Sequence, residues 1–351
     1  MSSADRKAGP LAGIRILEVG TMLAGPYATM LLADLGADVV KVEPLAGEIS
    51  RGVGNSYFDS LNRNKSSVSL DLNSEAGQQQ LGELVKDAHA LLVNLKPSAI
   101  RRLGLTYDSL RRWNEKIVCV AITGFGLNAG DDPAFDYVIQ AATGIAALTG
   151  DPDGPPTLPG YSSADNSTGM CAALGLLAKI ISGTGGQVDV SLQDVMLSQL
   201  NYHAAAYLNH GVEPQRRPNG AHSYYVPAQL FPTAEGYLAL FITHDGFWRS
   251  FAGEAGIGGF ETMAERVARR DEVLAVVTAM LATDTAAGWE QRLRPLGVPA
   301  AAVRSLPEAL EATPDVVVNA GDLRFVGTPI RVAGYQPEYR PAPVLGEGPR
   351  S

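Results

Sequence analysis

Over the first 125 residues, short apolar runs alternate with segments that have helical periodicity. The apolar runs have the length and composition of strands, and a helical or polar segment separates each from the next. They cover residues 14–19, 38–43, 90–93 and 117–122, and a further run covers residues 188–192. Strands that are nearly continuous in apolar residues, with helices between them, indicate a parallel sheet that is covered on both faces. We therefore predict an α/β fold built on a parallel sheet.

A change in composition near residue 211 indicates a domain boundary. Residues 211–220 (GVEPQRRPNG) are polar and contain two prolines, which is typical of a linker. Beyond them, two strand-like runs flank Ala234-Glu235-Gly236, a pattern that predicts a β-hairpin, and helical stretches follow. We predict a large domain over residues 1–205, a linker over 206–225 and a smaller α+β domain over 226–305.

Charge and cysteine content argue against several classes of protein. Lys and Arg total 28 against 37 Asp and Glu, and the net charge of −9 disfavours a nucleic-acid-binding protein. The sequence has no apolar stretch of membrane-helix length, no apolar signal segment at its start and no Cys/His spacing typical of zinc sites. Cys119 and Cys171 lie in apolar contexts, and buried free thiols fit a reducing compartment. We expect a cytoplasmic protein without nucleic-acid, membrane or metal partners.

The first predicted strand ends in a turn that contains glycine. Gly20 and Ala24-Gly25-Pro26 lie between this strand and the next helix. The turn is not GxGxxG, and neither a Walker A sequence nor a GxSxG elbow occurs in the chain, so classical dinucleotide, P-loop and serine-hydrolase sites lack support. A strand end that opens into a helix N-terminus suits an anionic ligand, but a tight turn without a ligand explains the same pattern.

Asp165 is the carboxylate with the most suggestive position, because it lies where a loop meets a long apolar helix. Its commoner role there is an N-cap, although Ser163 or Ser167 could cap the helix instead and leave Asp165 free. The positive end of the helix dipole predicts an ionised side chain. An ionised, partly shielded carboxylate can act as a nucleophile. The pattern of residues leaves both roles open.

The other charged candidates have an ordinary alternative explanation. Asp136 lies in a segment that reads as a surface loop. Arg51, Lys65, Arg101 and Arg102 lie near predicted loop ends, where charged side chains usually face solvent.

Several motifs, in order along the chain, resemble the family III CoA-transferases (the CaiB/BaiF group), which include formyl-CoA and carnitine CoA-transferases and have the α-methylacyl-CoA racemases as relatives. The matching segments are residues 11–18 (LAGIRILE), Ala24-Gly25-Pro26, residues 35–44 (LGADVVKVEP), residues 62–72 (NRNKSSVSLDL), Asp136-Tyr137 with Gln140-Ala141, residues 164–169 and residues 340–347 (RPAPVLGE). The resemblance covers nearly the whole chain.

This resemblance implies a Rossmann-like large domain and two subunits that interlock as a homodimer. It also implies that residues 306–351 return to the large domain. Asp165 matches the family's catalytic aspartate, so it would attack an acyl-CoA thioester and pass through mixed-anhydride and aspartyl-CoA thioester intermediates. The substrates would be an acyl-CoA donor and a carboxylic acid acceptor, with coenzyme A as a substrate and no permanently bound cofactor.

The resemblance further implies a CoA site at the strand ends of the large domain. The backbone N–H groups of Met22, Leu23 and Ala24 would stabilise oxyanions. The positions that match the family's CoA contacts, together with Asp136, are Leu70, Asn94, Leu95, Arg102 and Leu103. Arg102 suits a phosphate group because its guanidinium forms paired hydrogen bonds.

One departure from the family bears on the reaction. The racemase relatives have a histidine before the aspartate at position 136, and this chain has Phe135. A racemase must remove and return a proton, which phenylalanine cannot do. The sequence therefore favours a transferase over two alternatives, a 2-methylacyl-CoA racemase and a non-catalytic CoA-binding protein.

Overall fold

The computed structural model describes residues 9–348. Residues 1–8 and 349–351, which belong to the predicted first and last segments, lie outside the described residues. The strands are β1 Arg15–Val19, β2 Asp38–Glu43, β3 Ser66–Ser69, β4 Ala90–Val93, β5 Val118–Thr123, β6 Gly186–Ser191, β7 Ala228–Pro232, β8 Tyr237–Phe241, β9 Ala300–Ala302, β10 Val317–Ala320 and β11 Leu323–Val326. The helices are α1 Ala24–Asp34, α2 Tyr57–Asn62, α3 Glu75–Lys86, α4 Pro97–Arg102, α5 Tyr107–Leu110, α6 Asp136–Ala142, α7 Ile145–Leu148, α8 Ser163–Ile181, α9 Leu192–Gln199, α10 Asn201–His210, α11 Asp245–Ala255, α12 Met263–Ala268, α13 Arg270–Leu281, α14 Ala286–Leu293 and α15 Leu306–Ala312.

The first compact unit contains residues 9–145, 159–208 and 314–348 of the described chain. Its centre is a six-stranded parallel sheet in the order β3-β2-β1-β4-β5-β6, which confirms the predicted Rossmann-like α/β fold. Apolar side chains on both faces of the strands form two separate cores, one under α1 and α8 and the other under α3. The strands are buried on both sides because helices cover each face.

The strand order reverses direction between β1 and β4, which pair in parallel from Ile16 opposite Ala90 to Val19 opposite Val93. The connections that leave these two neighbouring strands run to opposite faces of the sheet. A crevice therefore opens beyond their carboxyl ends, and ligands of doubly wound sheets bind at such a point.

Helix α8 packs on α1 through a glycine. A Cβ atom at Gly169 would lie 2.7 Å from the carbonyl oxygen of Ala24, so the close approach of the two helices requires glycine there. The apolar sequence of α8 predicts a helix that is buried on most sides, and this prediction is wrong within the single chain. Met170, Leu174 and Ile181 are exposed, and so is Cys171, which we also expected to be buried. Only one face of this apolar helix packs on the sheet.

Residues 314–348 add an antiparallel hairpin, β10–β11, and an extended segment that crosses the first unit. Asn64 exchanges two hydrogen bonds with the Arg340 backbone, and the Tyr335 hydroxyl donates to the carbonyl of Asp34. The guanidinium of Arg51 donates to the carbonyl of Pro343 at 3.2 Å. These contacts anchor the end of the described chain beside β2 and β3.

The second compact unit contains residues 146–158 and 209–313. It has an antiparallel sheet in the order β7-β8-β9, and β7 and β8 form the predicted hairpin. Its core is a cluster of large apolar side chains that includes Phe231, Trp248, Phe251 and Trp289. Residues 146–158 group with this unit although they lie outside the boundaries that we placed from the sequence. Across the two units, no helix within residues 9–348 is both long and apolar enough to span a membrane.

Candidate active site

The turn after β1 is held in shape by a side chain from β4's carboxyl end. The amide of Asn94 donates to the carbonyl of Thr21 and accepts from the Thr21 N–H, both at 2.8 Å. Next to it, Met22 has a φ of 59°, a left-handed conformation that is uncommon outside glycine. Asn94, which we predicted as a CoA contact, thus shapes the turn in this structure.

The turn leads directly into α1, whose first N–H groups point out from the N-terminal end of the helix. Leu23 is the N-cap residue and provides no side-chain hydrogen bond to these groups. The N–H of Met22 donates to the Glu48 carboxylate at 3.4 Å, so that one of the three predicted oxyanion donors has a partner within the chain. The first amides of a helix without a side-chain cap suit an oxyanion.

Beneath the turn lies a cluster of buried charges. Glu18, Lys41 and Lys65 are all fully buried, and each lysine ammonium lies 2.7 Å from the Glu18 carboxylate. Burial alone would raise the pKa of Glu18, but the two lysines outweigh it and hold the pKa at about 2. Burial lowers the pKa of Lys65 to about 8 despite Glu18. We expected Lys65 to face solvent, and this was wrong, because its ammonium group is buried against partners on β1, α1 and α2.

Asp165 lies in the first turn of α8, but another helix caps α8. The carboxylate of Asp136, at the start of α6, accepts from the N–H of Ala164 at 2.7 Å and of Asp165 at 3.0 Å. Neither Ser163 nor Ser167 forms a side-chain cap. Asp136 is buried, so its assignment to a surface loop was wrong. The cap frees the Asp165 side chain, and within residues 9–348 no group donates a hydrogen bond to its carboxylate.

Burial and the nearby Asp136 carboxylate raise the pKa of Asp165 to about 6. We expected an ionised side chain, and a group with this pKa is still ionised at neutral pH. Tyr57, from α2, is close enough to Asp165 and Glu48 to interact with both charges. Burial and these two carboxylates raise the pKa of the Tyr57 hydroxyl. Tyr57 and Glu48 join this site without any local sequence signal that predicts it.

A cavity of about 460 Å³ opens at the carboxyl ends of β1, β2 and β4. The predicted CoA contacts Leu70, Leu95, Arg102 and Leu103 line it, and so do Gly20, Thr21, Glu43, Pro44, Glu48, Ile49, Asp71, Leu72 and Asn73. Arg102 is exposed and donates to the side-chain oxygen of Asn73. Met22, Leu23, Ala24, Asn94 and Asp136 are not among the lining residues.

Comparison with known proteins identifies the family. Residues 11–348 match the model of the CoA-transferase family III. The chain belongs to this family. It is an enzyme of the CoA-transferase class, and its α/β architecture is the one found in solved CaiB/BaiF structures.

Two relatives match this chain along nearly their whole length. The chain is 33% identical to a succinate–glutarate CoA-transferase from Agrobacterium fabrum, covering 99% of this chain and 96% of that protein. It is 30% identical to an acetyl-CoA:oxalate CoA-transferase from Acetobacter aceti, with 97% and 94% covered. The crystal structure of a CaiB/BaiF family protein from Brucella suis has 29% identity and a TM-score of 0.84, with 97% of each chain covered.

In this family III enzyme, the residue before Asp136 does not provide acid–base chemistry. Phe135 is 71% exposed and precedes the first residue of α6. Its ring has no group that can exchange a proton with a substrate carbon. The site instead combines a carboxylate that accepts no hydrogen bond from residues 9–348 with helix amides that lack a side-chain cap, which is a combination suited to covalent acyl transfer.

Proposed function

We propose that this CoA-transferase moves CoA from an acyl-CoA donor to a free carboxylic acid through covalent intermediates on Asp165. The observation that carries the proposal is the Asp165 carboxylate, which is partly buried and accepts no hydrogen bond from any described residue. A pKa of about 6 makes it more basic than an ordinary aspartate while it remains ionised at neutral pH. A carboxylate with these properties is a better nucleophile than one held by hydrogen bonds.

The first half of the reaction transfers CoA to the enzyme. An Asp165 oxygen attacks the thioester carbonyl carbon, the carbon–sulfur bond breaks, and CoA leaves as a thiolate. The product is a mixed anhydride between Asp165 and the acyl group. The thiolate then attacks the Asp165 carbonyl carbon and releases the donor acid as a carboxylate, which leaves an aspartyl-CoA thioester.

The second half repeats these steps with the acceptor. The acceptor carboxylate attacks the aspartyl thioester, and the CoA thiolate leaves. The thiolate then attacks the acceptor carbonyl of the new anhydride, which forms acceptor-CoA and restores the Asp165 carboxylate. Each attack creates a tetrahedral oxyanion, and we assign the N–H groups of Leu23 and Ala24 at the start of α1 to its stabilisation.

The cavity at the strand ends supplies the proposed CoA site. Leu70, Leu95 and Leu103 give it apolar walls, and Arg102 at its edge supplies a positive charge for a CoA phosphate. The relatives described above are named for succinate, glutarate and oxalate. We therefore propose a short dicarboxylic acid as one of the two carboxylate substrates.

We also propose that two copies form a homodimer. Met170, Leu174 and Ile181 on α8, and Leu197 and Leu208 on the next two helices, are large apolar side chains exposed on the single chain. Large apolar side chains exposed on three consecutive helices suit a protein interface. Light scattering tests this proposal, and a monomer at micromolar concentration would contradict it.

Mass spectrometry tests the covalent mechanism directly. The enzyme is mixed with succinyl-CoA, glutaryl-CoA, oxalyl-CoA and acetyl-CoA, and hydroxylamine converts any activated carboxylate to a hydroxamate. We expect modification of the peptide that contains Asp165, and none in Asp165→Asn. Asp194→Asn is the matched control, because Asp194 lies in the first turn of α9 and is exposed. Label in Asp165→Asn, or none in the wild type although CoA binds, would refute the mechanism.

A further inference from the structure

The buried charge cluster contacts the backbone on both sides of the turn. The ammonium of Lys41 donates to the carbonyl of Gly20 at 3.0 Å, and the ammonium of Lys65 donates to the carbonyl of Pro26 at 2.9 Å. Gly20 precedes the turn, and Pro26 lies in the first turn of α1. The two lysines therefore hold the segment on either side of the predicted oxyanion donors.

A single carboxylate joins the two lysines. Glu18 accepts from Lys41 through one oxygen and from Lys65 through the other, and the second oxygen also accepts from the Thr29 hydroxyl of α1 at 2.6 Å. Lys65 completes its three hydrogen bonds with the side-chain oxygen of Asn62 at 2.9 Å. Each ammonium and each carboxylate oxygen of this group has a fixed partner.

The cluster also contacts the turn through the carboxylate of Glu48. Lys41 lies 3.5 Å from the carboxylate of Glu48, and that carboxylate accepts from the Thr21 hydroxyl at 2.9 Å and from the Met22 N–H at 3.4 Å. Met22 has the left-handed backbone conformation, which needs support from its surroundings. Glu18, Lys41 and Glu48 are the charged groups that face Lys65.

We propose that Lys65 is a positioning residue for catalysis, which acts with Lys41 and Glu18 as a clamp that fixes the amides of residues 23 and 24 for the oxyanion. The clamp rests on the proposed function, because it presupposes that these amides stabilise a transition state. Apolar side chains could fill the same space and avoid the cost of burying charges. What the ammonium groups add is directional hydrogen bonds to the two carbonyls that flank the amides.

The clamp should affect the transition state more than the bound substrate. The oxyanion exists only after attack, so a shift of its donors lowers the rate of acylation and leaves acyl-CoA binding nearly unchanged. A displacement of about 1 Å in such donors costs roughly 100-fold in rate. We expect Lys65→Met, which keeps an unbranched side chain but removes the ammonium group, to lower the acylation rate constant by about this factor. The acyl-CoA concentration that gives half of the maximal acylation rate should stay within about threefold of wild type.

The test is a single-turnover measurement of acyl-enzyme formation on the full-length enzyme with the acyl-CoA that labels the wild type. The amplitude reports how much of the protein is folded and competent, and the rate constant reports the positioning of the donors. Because Lys65→Met leaves Glu18 with one lysine, Glu18→Gln/Lys65→Met is a second variant that removes one charge of each sign. Lys86→Met is the matched control, since Lys86 forms a surface pair with Glu83 at 47% exposure.

The proposal expects a retained amplitude with a rate constant that falls about 100-fold in either Lys65 variant, and wild-type values in Lys86→Met. A reduced amplitude with an unchanged rate constant would mean that Lys65 only supports folding, and this would overturn the proposal. If the wild type forms no acyl-enzyme, the proposed function itself fails. Amide hydrogen exchange of residues 20–27 then still tests the clamp, which requires lost protection in Lys65→Met and none in Lys86→Met.

Discussion

Replacing Asp165 by asparagine should stabilise the protein at neutral pH while it abolishes transfer. Asparagine keeps the shape of the side chain and removes the charge that is costly to bury beside Asp136. The pKa of Asp165 is raised from 3.8 to about 6 in the folded protein. Ionisation therefore costs the folded state about 3 kcal/mol relative to the unfolded chain, since one unit of pKa corresponds to about 1.4 kcal/mol.

The pH dependence follows from the direction of this shift. Above pH 6 the folded protein bears the full cost of the ionised carboxylate, and as the pH falls through 6 towards 3.8 the group takes up a proton and the cost disappears. We expect the stability advantage of Asp165→Asn to be about 3 kcal/mol at pH 8 and roughly half of that at pH 5. Below pH 4 the two proteins should unfold at nearly the same temperature.

Thermal unfolding of wild type and variant, followed by circular dichroism at intervals from pH 4 to pH 8, measures this difference. Asp194→Asn serves as the control, and its unfolding temperature should stay close to that of wild type throughout. A variant that is less stable than wild type at pH 8 would mean that the Asp165 charge has an unrecognised partner. A difference that does not change between pH 5 and pH 8 would also refute the reasoning, since it would not arise from titration.

Three further predictions concern kinetics. Asp136→Asn keeps an oxygen that can cap α8 but removes a negative charge beside Asp165, so the fall of the acylation rate constant at low pH, which Asp165 sets near pH 6 in wild type, should occur at lower pH in the variant. An unchanged pH for this fall would exclude the charge of Asp136 as a cause of the raised pKa. The same profile in wild type should decline above about pH 8, where Lys65 loses its proton, and a flat profile to pH 10 would contradict this. Arg102→Gln should raise KM for acyl-CoA by about tenfold and leave kcat unchanged, because a charged hydrogen bond contributes about 1.5–3 kcal/mol; steady-state kinetics checks this, and a fall in kcat alone would contradict it.

Local pattern predicted the strands of the central sheet but missed one of them. The strands β1, β2, β4 and β5 are recognisable because a strand that is buried on both faces is made largely of apolar residues. β3 has the sequence Ser-Ser-Val-Ser and lies at the edge of the sheet. Its serines are stabilised by partners elsewhere in the chain, such as Glu43 for Ser67, so its composition carries no strand signal.

The residues of the site also fall into those that the sequence locates and those whose role it does not reveal. Asp165 and the turn after β1 can be located from the sequence, because a helix start and a strand end leave local patterns. The role of Asp136 cannot be read in this way, because it caps a helix that begins 27 residues later in the chain. The same holds for the partners of Lys65, which is 47 residues from Glu18 along the sequence.

The sequence by itself determined the alternation of strands and helices, the family and the position of its candidate nucleophile, since all of these depend on residues that are neighbours in the chain. Only the tertiary structure decided the state of that nucleophile. The raised pKa of Asp165 comes from burial and from a carboxylate on another helix, and the clamp under the turn comes from three residues on separate strands or beside them. Electrostatic interactions depend on distance in space and on exclusion of water, and neither is specified by spacing along the chain.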